Sequence, residues 1–146
     1  MQDRPPDHHH RRPPGATDDA VLAAGKMSEA LETLERARGH LYAFHQLLGE
    51  TDLKLDEVLE LLRGQGIDAL ADELERDVVG RNVLNGRWTF QVVEEFDDDY
   101  WIVFRTHEQA VRDALVAGRR HVYEAEMKER RRTPGHPAHG GRPDER

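Results

Sequence analysis

Apolar residues recur along the first half of the chain at alternating steps of three and four. Met27, Leu31, Leu34, Leu41, His45 and Leu48 fall on one face of a 3.6-residue repeat, which predicts a helix from about Ser28 to Leu48. Ser28 is placed to cap this helix and Gly49 to end it. Glu32 and Arg36 stand four apart in the favourable order for a helix pair. Gly39 is tolerated inside at a cost of about 1 kcal/mol. Leu55, Val58, Leu59 and Leu62 predict a second helix over 53–63, capped by Thr51 or Asp52 and stopped by Gly64 and Gly66. Ile67, Leu70, Ala71, Leu74 and Val78 predict a third over 67–78, closed by Gly80.

Residues 80–87 read as a loop with an Asn85-Gly86 turn. The aromatic stretch that follows fits two patterns. Trp88, Phe90 and Val92 alternate as in a hairpin, with Asp97–Asp99 as its turn. Trp88, Val92, Phe96 and Tyr100 also recur every four residues, and Val103, His107, Ala110, Val111 and Ala114 continue that face. One phase held over so many residues favours a helix, reaching about Ala117. Gly118 bends or ends it, and residues 119–132 form a further helical piece supported by Glu124–Lys128 and Glu126–Arg130. Short turns between helices imply antiparallel neighbours. The expected fold is therefore all-α, an antiparallel bundle of four to five helices.

Composition sets the borders of that bundle. Residues 1–25 are rich in Pro, His, Arg and Asp, and residues 133–146 in Gly, Pro and His. Both are expected to be disordered, leaving a helical domain over 26–132. Met27 opens a good helix start and is a candidate translation start beside Met1. No run approaches the ~20 apolar residues of a membrane helix, and the basic opening lacks the apolar run of a secretory signal, so the expected setting is the cytoplasm.

The net charge is −8. It is concentrated in residues 17–118, with ten basic and 22 acidic side chains, a field that repels nucleic acid. The chain has no cysteine, and its single serine, Ser28, has no glycine-flanked elbow around it. Nucleophilic catalysis of the serine or cysteine type is nearly excluded on those grounds. No phosphate-binding loop, dinucleotide fingerprint or zinc motif is present.

Three constellations remain. His45, in the middle of the first helix's apolar face, would approach Glu95 and Asp99 if the first and last long helices were antiparallel, a donor set suited to a divalent metal or small ligand. As a simple alternative, a histidine on such a face is half-buried and hydrogen-bonded. Phe90, Trp101 and Phe104, with the small-residue seam Ala110, Ala114 and Gly118, are candidate contacts for a protein partner or a second copy. Arg119, Arg120, Arg130, Arg131 and Arg132 could contact an anion, although Glu124, Glu126 and Glu129 interleave with them. The His8–His10 tract reads as solvated.

Taken together, MSEALETLERARGHLYAFHQL, GRNVLNGRWTFQVVEEFDDDYW and RRHVYEAEMKERRR resemble a family of uncharacterised small proteins from high-GC actinobacteria, over residues 27–132. The resemblance implies a bacterial cytoplasmic setting and assigns no activity and no functional residue. The expected function is that of a non-catalytic helical interaction or regulatory protein that self-associates, with no cofactor. The alternative is a metal- or ligand-binding bundle around His45, Glu95 and Asp99.

Overall fold

The computed structural model describes residues 5–143. The chain is helical, with no strand among the described residues. Its elements are α1 (Asp18–Gly64), α2 (Asp68–Asp77), α3 (Thr89–Phe96), a π-helical turn (Asp97–Trp101), α4 (Ile102–Val116) and α5 (Val122–Arg131). The aromatic stretch is thus helix and not hairpin. The Asn85-Gly86 turn is present and is closed by a single antiparallel bridge between Leu84 and Arg87.

One helix, α1, stands where the sequence predicts two. It begins at Asp18, where the Ala20 amide donates to Thr17 Oγ1 at 3.1 Å. Thr17 is the cap that was expected of Ser28. Met27 and Ser28 lie inside the helix, and Met1 lies outside the described residues. The residues expected to break it serve otherwise. Thr51 Oγ1 donates back to the Leu47 carbonyl at 2.8 Å. Asp52 Oδ1 accepts from the Gly80 amide at 2.8 Å. The covered face runs on at steps of three and four through Leu48, Asp52, Leu55, Leu59 and Leu62, and this burial offsets the cost of Gly39 and Gly49. Thr17→Ala should lower stability by about 1 kcal/mol, measured by urea denaturation, whereas Ser28 plays no capping part.

The described residues divide into two compact units, those up to Thr33 with those from Val103 onward, and Leu34–Ile102. The core of the first unit is Val21, Ala24, Val116 and Val122, with Leu115 packed against it. Val21 and Ala24 come from the segment expected to lie outside the helical domain. Gly25 faces Tyr123 of α5, and a Cβ there would make an ordinary contact at 3.8 Å. Between α4 and α5 the backbone turns through left-handed residues, Ala117 at φ 53°, Gly118 at φ 72° and His121 at φ 55°. The Gly118 amide reaches back to the Arg112 carbonyl at 3.0 Å, which ends α4. Arg12 clasps Glu126 of α5 through two bonds, of 2.9 and 3.0 Å.

The same unit buries an ion pair. Glu108 is 4% exposed. Arg112 grips it with Nε at 2.6 Å and Nη2 at 3.1 Å. Ser28 Oγ donates to Glu108 at 2.9 Å, and Arg112 Nη1 donates to the Gly118 carbonyl at 2.8 Å. Burial alone would raise the Glu108 carboxyl, but the bonds from Arg112 and Ser28 reverse this and hold it below its ordinary value.

In the second unit the chain returns antiparallel to α1. Arg63 reaches Glu75 at 2.6 Å and Asp72 at 3.3 Å. Asp52 then meets Gly80. His45 meets Thr89 at 2.6 Å, and Arg38 meets Asp97 at 2.8 Å. Partner numbers rise as α1 numbers fall, so α2, the loop and α3 run back along it. Buried here are Leu59, Ala71, Thr89 and Val93.

Candidate functional site

The densest polar arrangement of the second unit surrounds the π-helical turn. A π turn holds one more residue than an α turn and is often found at functional sites. Here it brings Asp97 and Trp101 to the side of α1. Arg38 forks onto Asp97, with Nε–Oδ1 at 2.8 Å and Nη2–Oδ2 at 3.0 Å. The Tyr42 hydroxyl donates to the same carboxylate at 3.0 Å. The Arg38 guanidinium lies 3.8 Å from the centre of the Trp101 ring and 5.1 Å from that of Tyr42. The Trp101 indole donates to Glu35 at 2.6 Å. The Arg38 bond holds the Asp97 carboxyl below its ordinary value, against the opposing effect of burial and with further help from Tyr42. Asp97 is therefore ionised at neutral pH and committed as an acceptor, which suits an anchor and not a general acid.

The sequence marked Asp97 and Trp101 separately, one in a candidate hairpin turn and one as a candidate partner contact. It missed Arg38, Tyr42 and Glu35. The available signal was the occurrence of Glu35, Arg38 and Tyr42 at helical spacing beside the apolar face, facing an acidic-aromatic segment.

His45, Glu95 and Asp99 are not brought together. The ring of His45 is engaged with Thr89, the half-buried and hydrogen-bonded reading of that histidine. Glu95 is turned to Arg87, with Oε1 at 2.9 Å from Nη2, and that bond lowers its carboxyl. Asp99 is exposed. Among the described residues no three His, Asp or Glu side chains gather closely enough to hold a metal. The sole serine is occupied with Glu108, and among the described residues every buried side-chain polar atom has a partner.

The basic residues of the α4–α5 corner and of α5 are dispersed in role. Arg119 donates to the Arg11 carbonyl, Arg132 pairs with Glu129 at 2.7 Å, and Arg120, Arg130 and Arg131 are exposed. Of the expected partner contacts, Phe90 is exposed and meets Trp88 edge to face at 6.4 Å. Trp101 is covered by Arg38 on one face, and Phe104 is half-buried. Ala110 and Ala114 are exposed. Gly118 serves the left-handed turn, since a Cβ there would come within 2.7 Å of Asp113 Oδ1.

A larger apolar surface lies on α1 itself. Phe44, Leu47, Val58 and Leu61 remain 46%, 59%, 41% and 63% exposed. With Thr51 and Lys54 between them they follow steps of three and four, so they form one continuous stripe beside the covered face. Scattered exposed leucines need no explanation, but a run of large side chains on one rigid helix does. No helix among the described residues is long and apolar enough to cross a membrane. Comparison with protein families, curated proteins and solved structures finds no match to this chain.

Proposed function

We propose that this chain is a non-catalytic interaction protein that works by associating with itself, with the exposed stripe of α1 as its contact surface. The observation that carries this reading is the imbalance within the second unit. Leu59, Ala71 and Val93 are its buried apolar residues, while Phe44, Leu47, Val58 and Leu61 face outward from its main helix. Two copies that cover their stripes mutually extend the antiparallel helical bundle expected from the short turns between helices. A bacterial cytoplasmic setting, the one the family resemblance implies, agrees with a chain free of cysteine.

Magnitudes set the expected strength. Covering the exposed half of four large side chains on each copy gains roughly 6–12 kcal/mol. Association costs about 4–15 kcal/mol in lost freedom. The surplus is small, so the dimer is expected to be reversible and concentration-dependent. Sedimentation velocity across a concentration series should show the mass rising from one chain to two. A chain that remains monomeric up to about 1 mM, where association weaker than ~4 kcal/mol escapes detection, would overturn the reading.

A further inference from the structure

Resting on that self-association reading, we infer that the second copy docks antiparallel on α1, about a two-fold axis passing between Thr51 and Lys54. The stripe comprises Phe44, Leu47, Thr51, Lys54, Val58 and Leu61, all exposed and all on one helix. It is self-complementary when reversed. Phe44 faces Leu61 of the partner subunit, Leu47 faces Val58 of the partner subunit, and Thr51 faces Lys54 of the partner subunit. A two-fold contact of this kind uses the same patch on both copies and closes at two. From Phe44 to Leu61 the stripe covers 17 residue steps, about 25 Å at 1.5 Å per residue.

Charge chooses the direction. Glu50 and Lys54 flank the centre of the stripe, and both are exposed. In the antiparallel pair Lys54 lies within one residue's rise of Glu50 of the partner subunit, and the two-fold axis repeats the attraction. A parallel pair in register would set Lys54 against Lys54 and Glu50 against Glu50. Like charges facing across a helix pair disfavour that alignment, as they do in coiled coils. The apolar ends match in either direction, so the polar centre decides.

The absence of cysteine makes the test clean, because a spin label attaches only where one is introduced. His40 and Gln65 lie just beyond the two ends of the stripe, and both are exposed. In the antiparallel pair, two labels on His40→Cys chains are separated by about 40 Å, the rise of 25 residues plus the interaxial spacing. A His40→Cys chain mixed with a Gln65→Cys chain gives a distance under about 20 Å. Leu47→Glu with Val58→Glu should abolish the dimer while far-UV circular dichroism stays unchanged. Glu50→Lys should weaken it roughly tenfold, and adding Lys54→Glu should restore it.

Long same-site distances together with charge-swap rescue support the inference. A dimer with short same-site distances, or one indifferent to Leu47→Glu and Val58→Glu, overturns the antiparallel register and leaves self-association standing. A chain that is monomeric before any substitution removes the reading beneath it, and the inference falls too.

Discussion

Arg112→Ala should lower stability by about 3–5 kcal/mol, because it leaves a buried carboxylate without its counter-charge. The two side chains are 12% and 5% exposed, so water cannot take the place of the guanidinium. The substitution removes both prongs on Glu108 and the bond to the Gly118 carbonyl at the end of α4. The Ser28 hydrogen bond and the charge of Arg105 are then what remains to oppose burial. Replacing both members with apolar residues of similar size, Glu108→Leu with Arg112→Met, should cost far less, since no charge remains to be stranded. The pH dependence separates charge from packing. In the native chain the Glu108 carboxyl is held below 4.5, so its contribution is complete above that value and is lost as pH falls through the folded value. In Arg112→Ala the effect of burial prevails and the carboxyl rises. The penalty is then greatest at neutral pH and shrinks as acid protonates Glu108. Urea denaturation of both chains at pH 7 and pH 4 should show the gap narrowing. A gap that stays constant would mean that Arg112 acts through packing alone.

That pair illustrates what the sequence hides. Glu108 and Arg112 stand four apart on a segment whose apolar pattern places His107, Ala110, Val111 and Ala114 inward. The covered face is instead rotated by one position: Thr89 and Val93 are buried, Asp97, Trp101 and Phe104 half-buried, and Glu108 buried, while Tyr100, Val103 and His107 are exposed. A repeat of exactly four residues drifts on an α-helix. The chain absorbs the drift with the π turn, and polar residues that find partners occupy the inner positions. A count of apolar side chains cannot see either effect. Along α1 the same method read the covered face correctly except at Val58, which is exposed, because leucines there outnumber polar residues and the phase is not interrupted. What it misread was where that helix starts and where it stops. Thr17 followed by two acidic residues and Ala20–Ala24 is a good start signal, but it lies beside a proline- and histidine-rich stretch whose composition dominates a window average. Thr51 and Asp52 have the chemistry of caps. Nothing local says that one will bond to its own helix and the other to a glycine 28 residues away. The helical class was legible from periodicity. The anchoring of the π turn was not, because it depends on which side chains a distant helix presents.

Arg38→Ala should cost about 2–4 kcal/mol, adding the loss of a two-pronged charged hydrogen bond to the loss of a guanidinium stacked on an aromatic ring. The Arg38 and Asp97 side chains are 23% and 19% exposed, shielded enough for the pair to count and open enough to keep the loss below that expected for Arg112. Asp97→Asn keeps the shape and removes the charge, so it should cost about 1.5–3 kcal/mol. In a double-mutant cycle the two losses should fall well short of adding, since each removes the same bond. Asp97 lies below its ordinary value of 3.8 because of Arg38 first and Tyr42 later, against burial. Its contribution is therefore present above that value and lost as pH falls through the folded one, and Asp97→Asn should flatten this part of the acid limb. Arg38→Lys distinguishes charge from geometry. Lysine restores the positive charge but neither the planar fork nor the stack on Trp101. If the fork and the stack hold the π turn, lysine should recover less than half of the loss, and the amides of residues 97–101 should exchange faster with solvent in both variants. With Trp88→Phe as background, Trp101 is the only remaining tryptophan, and its emission should shift in Arg38→Ala and Arg38→Lys alike. Full recovery of stability by lysine would show that the π turn is held by net charge, and the stacked guanidinium would then carry no weight in the fold.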